Sequence, residues 1–91
     1  MKIGPDRQPR LQFGDAEAFA IDGCEVERDV EHSTLTGIML DGALLPLPVG
    51  LRVTLYAGPN VVFVGKAVDE HRVLDLLSTE TDAELSGDES I

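Results

Sequence analysis

Polar and apolar residues alternate along most of this chain, the pattern of strands with one buried face. The clearest stretch is 16–30, where Phe19, Ile21, Cys24, Val26 and Val30 fall on one face around the dipeptide Asp22-Gly23. Asp-Gly favours the two-residue type I′ turn. The pattern therefore predicts a hairpin folded at Asp22-Gly23, with Ile21 paired to Cys24, Phe19 to Val26 and Glu17 to Arg28. A second hairpin is predicted from 33–40, a turn at Asp41-Gly42 and a return over 43–47. Pro46 and Pro48 remove two ladder donors, so this return strand is short or lies on an edge. A third pairs 51–56 with 61–67 across Ala57-Gly58-Pro59-Asn60. Residues 61–64 are apolar at every position, as in a strand covered on both faces.

The period then changes. Val73, Leu74 and Leu77 recur at helical spacing, Asp69 offers an N-cap, and Glu70 suits the positive end of a helix dipole. A short helix is predicted over 69–78, docked on the sheet because it is too short to stand alone. Residues 79–91 carry Glu80, Asp82, Glu84, Asp88 and Glu89 with no base and no periodicity, which reads as an acidic tail. Residues 1–10 are polar and slightly basic, with Gly4, Pro5 and Pro9 as breakers, which reads as an extended N-terminal arm. The expected architecture is mainly β. Residues 11–78 form one small antiparallel β-barrel or two-layer sandwich of three hairpins, with a short C-terminal helix and the tail beyond it.

Composition narrows the function. The chain has 91 residues, 43% of them apolar, which suffices for one small core. A formal net charge of −10 argues against a nucleic-acid backbone or an anionic membrane as partner. It suits a basic protein partner, or adaptation to salt. The single cysteine excludes an internal disulfide. No apolar run approaches the roughly 20 residues of a membrane span, and no secretory h-region occupies 1–10. The expected location is intracellular, or within a particle assembled in the cytoplasm.

Little reactive chemistry is legible. Cys24, His32 and His71 lack the tight spacing of a zinc site, and no calcium loop occurs, so no metal or other cofactor is expected. Cys24 falls on the apolar face, where cysteine is a small buried hydrophobe rather than a nucleophile. No phosphate-binding loop, dinucleotide fingerprint or nucleophile elbow is present, and no catalytic residue is expected.

Two features point to partners. Glu25, Glu27, Asp29 and Glu31 occupy every second position. On one strand they would share a face at intervals of about 6.6 Å. That row is either a solvated outer face or a stripe for a basic partner. The run 37–51 holds Ile38, Met39, Leu40, Leu44, Leu45, Leu47, Val49 and Leu51, with Asp41 as its one charge. It is either a core hairpin or a subunit interface. The partner-binding residues expected are Glu25, Glu27, Asp29, Glu31, Ile38, Met39, Leu44, Leu45 and Leu47. The expected function is a non-catalytic structural or assembly subunit that binds protein partners, copies of itself included. By analogy of shape and composition, a capsid-stabilising or tail component of a virion fits this description. The alternative is an acidic inhibitor or adaptor that occupies a basic protein site, for instance by mimicking nucleic acid.

Overall fold

A computed structural model of the chain describes residues 1–29 and 31–75. Nine strands follow in order: β1 (Lys2–Ile3), β2 (Pro9–Phe13), β3 (Phe19–Ala20), β4 (Gly23–Arg28), β5 (Ser33–Leu40), β6 (Ala43–Leu44), β7 (Arg52–Ala57), β8 (Asn60–Asp69) and β9 (Arg72–Asp75). All join one antiparallel sheet with the path β1-β4-β5-β9-β8-β7-β2-β3, and β6 adds to β5 off that path. A single 3-10 turn, Pro5–Arg7, links β1 to β2.

The connectivity forces this sheet to coil. β3 ends the path and β4 stands next to its other end, yet only Ile21 and Asp22 separate them. Three peptide steps reach at most about 11 Å. Six strand spacings in a flat sheet would measure about 29 Å. The two ends must therefore curl toward each other. The backbone records the seam: the Ile21 N–H donates to the Pro9 carbonyl at 3.0 Å, while the next N–H, of Asp22, donates to the Met39 carbonyl at 2.8 Å. The sheet remains open, because β3 and β4 are successive parts of one extended segment and no ladder pairs β3 with β1. The expectation of a closed barrel or a two-layer sandwich is corrected to a single coiled sheet.

Inside the coil lies one core. Leu11, Leu35, Val53, Leu55 and Val73 are fully covered, with Ile3, Val26, Ile38 and Phe63 around them. Most of these residues alternate along their strands, as the period-two pattern requires, while in β5 the period slips by one between Leu35 and Ile38, at Gly37 with its φ of 61°. On the exposed surface Arg28 makes a long-range contact. Its guanidinium donates to the Val62 carbonyl at 3.3 Å. Val62 sits at a bulge, where the register steps from Leu55↔Phe63 to Tyr56↔Val61. An extra residue in a bulge has no cross-strand partner of its own, and the arginine reaches that site across the coil.

Two predicted hairpins are present. β5 and β6 turn at Asp41-Gly42, whose φ angles of 52° and 82° are those a type I′ turn demands. The return is two residues long, as the two prolines require. β7 and β8 turn at Gly58-Pro59, with Ala57 opposite Asn60.

The hairpin predicted at Asp22-Gly23 is not formed. Phe19 pairs with Leu11, Val26 with Leu35 and Arg28 with Ser33, while Glu17 lies exposed in the loop before β3. Neither Asp22 nor Gly23 has a positive φ. Gly23 serves close approach instead: a Cβ there would stand 2.7 Å from the Ile3 carbonyl oxygen. Asp22 accepts a hydrogen bond from the Gly42 N–H at 2.9 Å. The competing reversal comes earlier, after β2, and is fastened by an edge-on contact of Phe13 with Phe19 at 5.5 Å between ring centroids.

The helix predicted over 69–78 is a strand as far as Asp75. β9 pairs with β8 and β5, and Val73 is fully buried between them. Asp69 caps no helix. Its Oδ1 accepts from the His71 N–H at 2.8 Å, which closes the β8–β9 turn. Four strand residues with two ladders outweigh the helical spacing of three apolar side chains. The rest of that helix and the tail lie outside the described residues. Within residues 1–10, β1 pairs with β4, Ile3 enters the core, and β2 begins at Pro9.

Candidate functional site

The acidic row divides where β4 ends. Glu25 and Glu27 project from the outer face of β4, Glu25 opposite Lys2 and Thr36, Glu27 opposite Thr34. Asp29 and Glu31 lie beyond the strand, in the reversal where the Asp29 N–H bonds the His32 carbonyl at 3.1 Å. Two of the four carboxylates thus share a strand face, and the other two follow in the connection to β5.

The apolar run also divides. Ile38 and Leu47 belong to the core. Met39 is half-buried, and Leu45 packs against the core from its margin. Leu44 is 53% exposed. The chain from β6 to β7 crosses an end of the coil, pinned by three backbone bonds. The Leu47 N–H donates to the Glu70 carbonyl, the Gly50 N–H to that of Ala67, and the Ala67 N–H to that of Leu51. Leu45 and Leu47 turn inward along this crossing, while Val49 and Leu51 turn outward and are 61% and 41% exposed. From Gly42 to Leu51 there is no charged residue. The outcome is a charge-free connection whose outer side shows Leu44, Pro46, Pro48, Val49 and Leu51 to solvent.

Val49 and Leu51 were not among the expected contact residues. The signal that could have found them is the proline pair. Once Pro46 and Pro48 end the return strand, the apolar residues beyond it cannot all face one core.

The ground around this connection is acidic. Asp41 precedes it, Asp22 is fastened to Gly42, and Glu70 adjoins Leu47 through the backbone bond. Of the cations nearby, two arginines face acids of their own and Lys66 is exposed. Arg52 binds Asp15 at 3.1 Å, and Arg72 stands 3.7 Å from Asp69. Lys66 alternates with buried Ala67 and lies on the outer face opposite Arg52.

A concavity of about 320 Å³ opens between β1, β4 and β5 and is lined by Ile3, Gly23, Cys24, Gly37 and Met39, among others. Burial pushes the Cys24 thiol from 9.0 up to about 11. At neutral pH it is protonated and a poor nucleophile. His32 and His71 are exposed, each in a turn between strands. Among the described residues no three His, Cys, Asp or Glu side chains converge as metal ligands, and no helix is long and apolar enough to cross a membrane. Compared with protein-family models, curated proteins and solved structures, the chain matches none.

Proposed function

We propose that this chain is a non-catalytic subunit of a larger protein assembly, and that it docks through the connection between β6 and β7. One observation carries the reading: Leu44, Val49 and Leu51 stand 53%, 61% and 41% exposed on a charge-free stretch held rigidly to the sheet by backbone bonds. Scattered exposed apolar residues are ordinary, whereas an uninterrupted set on one element marks a contact surface. A structural component of a particle, such as a capsid-stabilising or tail protein, is the setting that best suits a small rigid β subunit of this kind. The acidic-inhibitor alternative loses support from the division of the four-carboxylate row.

Magnitudes limit the surface. Full burial of a Leu or Val is worth roughly 1.5–3 kcal/mol. Covering three side chains that are already about half-covered gives about 3 kcal/mol, while association costs at least about 4 kcal/mol in lost freedom. The apolar residues alone do not hold a partner, so polar contacts at their margin must contribute. The test is paired substitution of Leu44→Ser and Val49→Ser in the full chain. Both side chains are exposed, so the fold should stand, with the melting temperature within a few degrees of the parent. Native mass spectrometry of the assembly recovered from the source should then show the subunit lost from it. A subunit that stays incorporated with both residues changed refutes the docking reading.

A further inference from the structure

The outer face of β2, β7 and β8 carries the sign opposite to the chain's net charge. We propose that this face takes an acidic stretch of polypeptide, and that its occupant is the chain's own segment 80–89. The proposal stands apart from the docking reading and uses none of its apolar residues.

Arg52 and Tyr56 alternate with buried Val53, Leu55 and Ala57 and so lie on the outer face of β7. Across the ladders Arg52 stands opposite Lys66 of β8, and Tyr56 opposite Arg10 of β2. The Arg10 guanidinium lies 5.1 Å from the Tyr56 ring centroid, and the Tyr56 hydroxyl donates to Gln12 Oε1 at 2.7 Å. Arg10 and Lys66 are exposed, and neither has an ion pair among the described residues. β2 and β7 contain no Asp or Glu, and β8 contains Asp69 alone, at its last position beside Arg72. Asp15 reaches the face from the loop after β2 and meets Arg52 at 3.1 Å. The Asp15 side chain is fully exposed, and an exposed pair of this kind contributes little and yields to a competing acid. Three cations therefore gather on one face of a chain in which Asp and Glu number 17 against 7 Lys and Arg.

Charge and reach together choose the occupant. Segment 80–89 carries Glu80, Asp82, Glu84, Asp88 and Glu89 and no base. β9 ends at Asp75, opposite Gly65 and so one residue from Lys66. The five residues from Asp75 to Glu80 span up to about 17 Å, and the three strand spacings from β9 to β2 measure about 14 Å. The acids are thus within reach of Lys66, Arg52 and Arg10. A tethered segment acts at an effective concentration on the order of millimolar, so contacts too weak to hold a free peptide suffice. Nucleic acid suits the face less well, because its phosphates would approach a chain of formal net charge −10.

The test uses the full chain and backbone amide shifts. Neutralising the segment with Glu80→Gln, Asp82→Asn, Glu84→Gln, Asp88→Asn and Glu89→Gln should shift Arg10, Arg52, Tyr56 and Lys66, equally at every protein concentration. A free peptide of residues 79–91 should then bind the neutralised chain in low salt about ten-fold more tightly than the parent, whose own segment competes. Arg10→Gln with Lys66→Gln changes two exposed positions. It should abolish peptide binding while the melting temperature stays within a few degrees of the parent.

Shifts that grow with protein concentration would assign the face to a second copy's segment and overturn the proposal. Unmoved amides on β2, β7 and β8 after neutralisation would overturn it, as would peptide binding that survives the two glutamines. A short single-stranded oligonucleotide that binds the same face more tightly than the peptide would overturn it too.

Discussion

Cys24 shows how one position acquires its chemistry from its neighbours. The residue is 7% exposed, and burial raises its thiol from 9.0 to about 11. The linkage has a definite sign. Below pH 9 both folded and unfolded chains keep the proton, and the contribution to stability is full. Above pH 9 the unfolded thiol ionises first, so the folded state loses ground until pH 11, where the loss is complete. A shift of that size corresponds to about 2–3 kcal/mol. Urea unfolding of the parent should therefore lose more stability between pH 8.5 and 11 than Cys24→Ala does. Native protein should react with thiol reagents at pH 8 far more slowly than unfolded chain. Gly23 makes a complementary case. A methyl group there meets the backbone of Ile3, which cannot swing aside as a side chain can. Gly23→Ala should cost about 1–3 kcal/mol, and amide exchange should locate the damage in β1 and the start of β4. Damage confined to 21–24, with β1 still protected, would restore the hairpin reading of that dipeptide.

Among the elements, the two turns that formed and the one that did not share an amino-acid vocabulary. Asp41-Gly42 turns with open space where a Gly42 Cβ would stand and with the Gly42 N–H held by Asp22, and the φ of 82° suits glycine. Gly42→Ala should cost about 1 kcal/mol from backbone strain alone, while Asp41→Asn, which tolerates the left-handed region, should be nearly neutral. Equilibrium unfolding of the two variants distinguishes them. β9 gives the sharper case. Its apolar spacing matches a helix turn as well as a strand, and only the two flanking ladders decide. Val73→Ala removes two methyl groups from a fully buried position. It should destabilise by on the order of 2 kcal/mol.

On the scale of the whole molecule, charge and topology pull in different directions. A formal net charge of −10 on 91 residues repels itself. Salt shortens the range of repulsion to about 8 Å at physiological strength. The melting temperature should rise by several degrees between 10 mM and 500 mM sodium chloride. A flat or falling response would mean that specific ion pairs, such as Arg52 with Asp15, outweigh general repulsion.

By itself the sequence determined the class of structure, the alternation that fills the core, the turns at Asp41-Gly42 and Gly58-Pro59, and the buried state of Cys24. Each depends on residues adjacent in the chain, where period and turn chemistry act directly. Tertiary structure decided the rest. It made Asp22-Gly23 part of an extended segment, because β2 offered Phe19 a better neighbour than Val26 did. It made 72–75 a strand, because β5 and β8 left a place between them for Val73. It divided both expected contact sets, ending β4 before Asp29 and Glu31 and taking Ile38 and Leu47 into the core. A strand receives its ladder and its covered face from segments distant in sequence, so local pattern specifies that a residue alternates but not which neighbour it meets.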